Sequence, residues 1–215
     1  MKVDLDPRRS RRTQDAPRLY RLGDAVRWVQ WGTKVVTRGA RDIASLFAAG
    51  GLGEALEPWM RVNSALEIPF EALAAGGVRA LLFDLENTLI PPGGPFNDEG
   101  RTIVDMAKSA GLAVAVVSNA SASWVAAELT NEAIPFVAPA GKPGRDAFER
   151  GCALLGVSPS EAVYVGDQMI TDVLGAQRAG LRTILVPPRF EHEGRSARFQ
   201  RGVSKALLRL YGKSA

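Results

Sequence analysis

Asp84 closes an apolar run, residues 78–83, and opens the string Asp84-Leu85-Glu86-Asn87-Thr88-Leu89. A carboxylate at the C-terminal edge of a buried strand, with a second acid two residues on, suits covalent phosphoryl chemistry. The first acid attacks phosphorus, and the second protonates the leaving oxygen and then activates water. Three polar stations follow in order: Ser118-Asn119, Lys142-Pro143, and Gly166-Asp167 with Asp172. Phosphate esters are anionic, so a carboxylate nucleophile needs its repulsion cancelled by a divalent cation, and Mg²⁺ takes oxygen ligands, one or two of them carboxylates. Asp84 and Asp167 can supply those oxygens, with the backbone carbonyl of Glu86, while Asp172 can position a metal-bound water. Lys142 offers positive charge to the transferring phosphoryl group, and Ser118 and Asn119 with the amides that follow Ser118, and Thr88 in the first string, are candidates for holding its oxygens. Singly, each station reads equally well as turn, cap or solvated-loop chemistry. All four in order, at the ends of expected strands, carry the reading.

The elements that must position these groups alternate from residue 78 onward. The pattern predicts strands over 78–84, 112–118, 134–137, 161–166 and 182–186, and helices near 98–110, 121–131, 144–155 and 169–179. The strands are unbroken apolar runs, as expected when helices cover both faces of a parallel sheet. The expected fold class is therefore α/β, a doubly wound parallel sheet. Ligands of such sheets gather outside the carboxyl ends of the strands, which puts Asp84, Ser118 and Asp167 on one rim. Residues 58–77 read as a lead-in with a short helix near 70–75.

The four segments resemble the motifs of the haloacid dehalogenase (HAD) superfamily of phosphohydrolases. The string Val165-Gly-Asp-Gln-Met-Ile-Thr-Asp-Val-Leu-Gly175 is similar to the YqeG-like branch of subfamily IIIA, which is related to phosphatidylglycerophosphate phosphatases. Leu66-Glu-Ile-Pro-Phe-Glu-Ala-Leu73 and Gly77-Val-Arg-Ala-Leu-Leu-Phe-Asp84 resemble that branch's lead-in. The likeness covers about residues 58–210. It implies a HAD-like Rossmannoid fold, Asp84 as nucleophile, Glu86 as acid/base, Ser118 as phosphate binder, Lys142 as the stabilising base, and Asp167 with Asp172 as the magnesium acids. One position departs from the family pattern, which has aspartate two residues after the nucleophile where this chain has Glu86. Its carboxyl is displaced by one methylene, and misplacement on the order of 1 Å can cost about a hundredfold in rate.

The gaps from Asp84 to Ser118 and from Ser118 to Lys142 each hold one helix and one strand. Neither accommodates an independently folded cap, which needs about 50 residues. A capless, open site suits a macromolecule or a lipid head group better than a small metabolite that must be enclosed.

Of 215 residues, 46% are hydrophobic, which is globular, and the formal net charge is +4. That total hides a division. Residues 1–41 carry 11 Lys/Arg against 4 Asp/Glu, residues 195–215 carry 6 Lys/Arg and no acid, and residues 42–194 are net −9. Basic arms around an acidic body suit contact with RNA, an anionic membrane surface or the body itself. The expected division is a basic extension, 1–54, with a candidate amphipathic helix over 24–41, and a phosphatase-like domain, 55–215, closed by a second amphipathic segment over 195–211. In the first, Trp28 and Trp31 share a face above a basic stripe that could rest on a bilayer. One cysteine, Cys152, excludes an internal disulfide, and one histidine, His192, cannot alone build the usual zinc site. With no apolar stretch near the roughly 18 residues of a spanning helix, the expected location is cytoplasmic, with peripheral membrane contact as an option.

The leading expectation is a Mg²⁺-dependent phosphomonoesterase working through an aspartyl-phosphate, with phosphatidylglycerophosphate the first candidate substrate. The alternative is a binding protein with weak or lost catalysis whose basic arms engage RNA, a ribosomal particle or membrane. A phospho-accepting receiver fits less well, because a strand, the Gly166-Asp167…Asp172 segment and a further strand all follow Lys142.

Overall fold

The computed structural model of the chain describes residues 57–188. The basic extensions, both candidate amphipathic helices, Trp28, Trp31 and the 54/55 division lie outside the described residues. In chain order the elements are β1 (Met60–Arg61), α1 (Phe70–Ala75), β2 (Ala80–Phe83), α2 (Asp98–Ser109), β3 (Ala113–Val117), α3 (Ala122–Glu128), β4 (Phe136–Val137), α4 (Arg145–Leu154), β5 (Ala162–Gly166), a wide π-helical turn (Met169–Leu174), α5 (Gly175–Arg178) and β6 (Arg182–Leu185). All strand pairs are parallel, in the order β1-β6-β5-β2-β3-β4. The expected α/β parallel sheet is the fold of the described residues.

β2 is central, paired with β3 on one side and β5 on the other, with Ala80 opposite both Ala113 and Ala162. All four of its residues are buried, which explains the absence of polar alternation in its sequence. Side chains still alternate between faces. Leu81 and Phe83 join Phe70, Ile103 and Val125 under α1, α2 and α3, while Ala80 and Leu82 join Phe148, Cys152 and Ala176 under α4 and α5. Burying each large apolar side chain contributes about 1.5–3 kcal/mol. On the α4 face the helix approaches the sheet closely at Gly151, where a Cβ would collide with Leu82 and Val117.

Local chemistry sets the ends. Asn97 caps α2 by accepting from the Gly100 amide at 2.9 Å, with Asp98 and Glu99 in the first turn and Lys108 in the last, as the helix dipole favours. Two differences from the sequence pattern have physical causes. β1 sits in the lead-in, too short to show periodicity, and is recruited by pairing Met60 with Ile184 on the sheet edge. β4 keeps only two residues because Pro135, which accepts from the Val116 amide at 3.0 Å, has no N–H of its own to give a ladder.

Candidate active site

The chain winds from β2 through β3 to β4 in one direction and returns through β5 to β6 in the other, so the order reverses at β2. Asp84, Ser118 and Asp167 directly follow β2, β3 and β5, three neighbouring strands. Two are held by the sheet as their strands end: the Asp84 amide donates to Val165 O at 2.9 Å and the Ser118 amide to Val137 O at 3.0 Å. All three side chains are buried.

Lys142 reaches this rim from the loop before α4 and is 2% exposed. Its Nζ donates to Asp84 Oδ1 at 2.8 Å, Asp172 Oδ1 at 2.7 Å and the Tyr164 hydroxyl at 2.7 Å. Burial pulls the ammonium toward neutrality, but Asp172 and Asp84 together outweigh it and hold Lys142 charged, its pKa raised above the usual value. Its backbone is pinned by Asn119, whose Oδ1 accepts from the Lys142 amide at 2.8 Å and whose Nδ2 donates to the Lys142 carbonyl at 3.2 Å. The side chain expected to bind substrate is thus engaged with the lysine's main chain.

Asp172 comes from the wide turn. There the Asp172 and Val173 amides both donate to Gln168 O at 3.1 Å, and the Asp172 side chain folds back so that its Oδ2 accepts from the Gln168 amide at 2.9 Å. This ring packs over Gly166, where a Cβ would lie 2.5 Å from Asp172 Oδ2. The expected regular helix over 169–179 is therefore a π turn followed by the short α5. The extra residue in the turn brings Asp172 beneath Lys142.

After Asp84 the chain reverses tightly. Leu85 O accepts from the Leu89 and Ile90 amides, both at 3.0 Å, and Asn87 has φ +63°, a left-handed conformation that asparagine tolerates. Glu86 projects from this reversal, and its Oε1 accepts from the Gly93 amide at 2.9 Å. Burial raises its pKa above the usual carboxylate value, opposed by the Gly93 hydrogen bond and Lys142. Ser118 Oγ accepts from the Ala120 amide at 3.2 Å. Thr88, a candidate for holding phosphoryl oxygens, is fully buried, with no hydrogen-bond partner for its Oγ1 among the described residues.

Tyr164 is the group that the sequence pattern missed. It lies inside β5 and is fully buried, with its hydroxyl 3.2 Å from Val117 O and 3.3 Å from Asp172 Oδ1. The available signal was a lone phenol in a strand otherwise made of aliphatic residues and glycine, since a buried phenol must find a polar partner.

Carboxylate oxygens of Asp84, Asp167 and Asp172 lie within 4.8 Å of one another. The Glu86 carboxylate is not part of this group, which leaves its backbone carbonyl as its means of joining the donor set. Burial pushes Asp84 up to about 7, with Lys142 opposing and Asp172 adding to the rise. Three buried carboxylates thus gather around one ammonium. An all-oxygen carboxylate set at this spacing fits a hard divalent cation of the Mg²⁺ kind.

A HAD-hydrolase-like family model matches residues 139–194. The chain is 35% identical over 149 residues to Probable phosphatase YqeG of Bacillus subtilis (strain 168), covering 68% of this chain and 86% of that protein. A shorter stretch of 45 residues is 47% identical to the Glyceraldehyde 3-phosphate phosphatase of Methanopyrus kandleri, covering 21% of this chain and 19% of that protein. Among solved structures, an uncharacterized protein from Listeria monocytogenes serotype 4b aligns with a TM-score of 0.44 at 20% identity, over 63% of this chain and 99% of that one.

Proposed function

The chain belongs to the HAD-like hydrolases as a phosphatase-type enzyme, alongside YqeG, and on that premise we propose that it hydrolyses phosphomonoesters through a phospho-aspartate at Asp84. The observation that carries this reading is the contact of one buried ammonium, Lys142, with Asp84 and Asp172 inside a three-carboxylate cluster. An Asp84 oxygen attacks phosphorus, the ester oxygen leaves with a proton from Glu86, and Asp84 becomes the acyl phosphate. Glu86, now a carboxylate, takes a proton from water, which attacks the phosphorus. Inorganic phosphate departs, and Asp84 and Glu86 return to their starting states.

Lys142 neutralises charge on the transferring group, and the Ser118 hydroxyl, whose oxygen already accepts from Ala120, turns its proton toward a phosphoryl oxygen. Asn119 acts indirectly, by fixing the Lys142 backbone. Asp84, Asp167 and Asp172, with the Glu86 carbonyl, are the residues proposed to hold Mg²⁺. When bound, the ion would offset the repulsion between the nucleophile and its anionic substrate.

The proposed substrate is a phosphorylated lipid head group, first phosphatidylglycerophosphate. In support, the connection over 84–97 has no helix and 118–144 has only α3 and β4 as regular elements, so neither forms a cap over the rim. Phosphate release from phosphatidylglycerophosphate, soluble sugar phosphates and nucleotides, each with and without Mg²⁺, tests the assignment. Mg²⁺-dependent turnover, fastest on the lipid and lost in Asp84→Asn, is expected. Preference for a soluble ester would overturn the substrate class, and no release from any compound would overturn the activity.

A further inference from the structure

We propose that Tyr164 is the positioning residue of Lys142, the neutral leg of a tripod that holds the ammonium against Asp84. The inference rests on reading Lys142 as the charge that meets the phosphoryl group. A lysine ammonium has three donors and no acceptor. All three are used: on Asp84 Oδ1 at 2.8 Å, Asp172 Oδ1 at 2.7 Å and the Tyr164 hydroxyl at 2.7 Å. Because the phenol oxygen accepts from lysine, its own proton turns to Val117 O at 3.2 Å or Asp172 Oδ1 at 3.3 Å.

The ring has little freedom. It is fully buried in β5 and met edge-on by Phe148, centroids 4.9 Å apart at 77°. Phenylalanine would fill the same space, and a buried hydroxyl is unfavourable unless bonded. The hydroxyl therefore answers to Lys142, not to packing. During phosphoryl transfer the donor aimed at Asp84 is the one next to the reacting centre. The donors on Asp172 and Tyr164 are the anchors, and with Asp172 alone the ammonium could tilt away from the nucleophile.

The test compares wild type, Tyr164→Phe and Asp84→Asn on para-nitrophenyl phosphate with Mg²⁺, and follows the Lys142 ammonium by proton–nitrogen NMR in the metal-free proteins. Tyr164→Phe is expected to lose on the order of tenfold in kcat with KM changed by less than about twofold. Its Lys142 ammonium protons, protected in wild type, should exchange with water too fast to observe. A Phe variant with wild-type kcat would overturn the proposal. So would a wild-type Lys142 ammonium that shows neither protection nor a through-space signal to the Tyr164 ring, a result that needs no variant to fold. Failure of the underlying reading looks different. Asp84→Asn turning over at the wild-type rate refutes the nucleophile, whereas an inactive Asp84→Asn beside a fully active Tyr164→Phe refutes the tyrosine alone.

Discussion

Asn119 and Lys142 are locked together through one side-chain amide, whose oxygen accepts from the lysine amide at 2.8 Å and whose nitrogen donates to the lysine carbonyl at 3.2 Å. The loop carrying the ammonium is thereby tied to the end of β3, one residue beyond Ser118. The two groups proposed to face the phosphoryl oxygens thus share one mount.

Asn119→Ala should therefore act on the lysine's position. Leaving the Lys142 amide without its partner costs about 1–3 kcal/mol of stability. Displacement of the ammonium by on the order of 1 Å lowers kcat by about a hundredfold. Urea unfolding and steady-state kinetics on the same variant check both. Unchanged kcat with reduced stability would show that the lock serves folding alone.

Gly166→Ala tests the packing that seats Asp172. The new Cβ would meet Asp172 Oδ2 at 2.5 Å, so the carboxylate or the turn must shift. Overpacking of this kind costs about 1–3 kcal/mol. Because Asp172 also holds Lys142, activity should fall with it, whereas Gly111→Ala, whose Cβ has nothing within 4 Å, should strain only its φ +82° backbone and spare kcat relative to Gly166→Ala.

Glu86→Asp asks whether the additional methylene is a defect or an adaptation. In this chain the longer side chain reaches the Gly93 amide at 2.9 Å, which aspartate is too short to do from the same backbone. Turnover is expected to drop several-fold, on the order of what a sub-ångström misplacement costs. A rise in kcat would mean that glutamate had compromised the enzyme. Glu86→Gln, unable to exchange a proton, should be slower than either.

Away from the rim, Glu161 makes stability depend on acid. Its pKa is held down at about 2, against 4.5 for an ordinary glutamate, by the Ser158 amide and hydroxyl and by Arg79. A carboxylate with a depressed folded-state pKa stabilises fully above the unfolded value and loses that contribution as protons bind. The difference in melting temperature between wild type and Glu161→Gln should therefore be constant above pH 5 and shrink as pH falls from about 4.5 toward 2. A constant difference across that window would contradict the assignment.

Much of the fold was legible because its strands are buried on both faces. Runs such as Ala113–Val117 admit few other readings, and three of them ended at a polar residue, which exposed Asp84, Ser118 and Asp167 as rim positions. What escaped depended on distant partners. β1 exists only because β6 offers it an edge, and the lone phenol of Tyr164 signals a polar partner without saying that it is Lys142. Asn119 was visible as a loop residue, but its bond to a residue 23 positions away is a fact of packing. The burial of Thr88 was likewise not legible from its place in the string Asp84–Leu89, because it depends on how the chain reverses around Leu85.

The aspartyl-phosphate itself can be trapped. Incubating the Mg²⁺-loaded protein with a turned-over phosphomonoester, quenching, and reducing with borohydride converts an acyl phosphate to the corresponding alcohol, which mass spectrometry locates by residue. Homoserine at position 84, present in wild type and absent both without substrate and in Asp84→Asn, is the predicted result. Substrate turnover with no reducible acyl group at Asp84, or with the reduced residue at any other carboxylate, would contradict it.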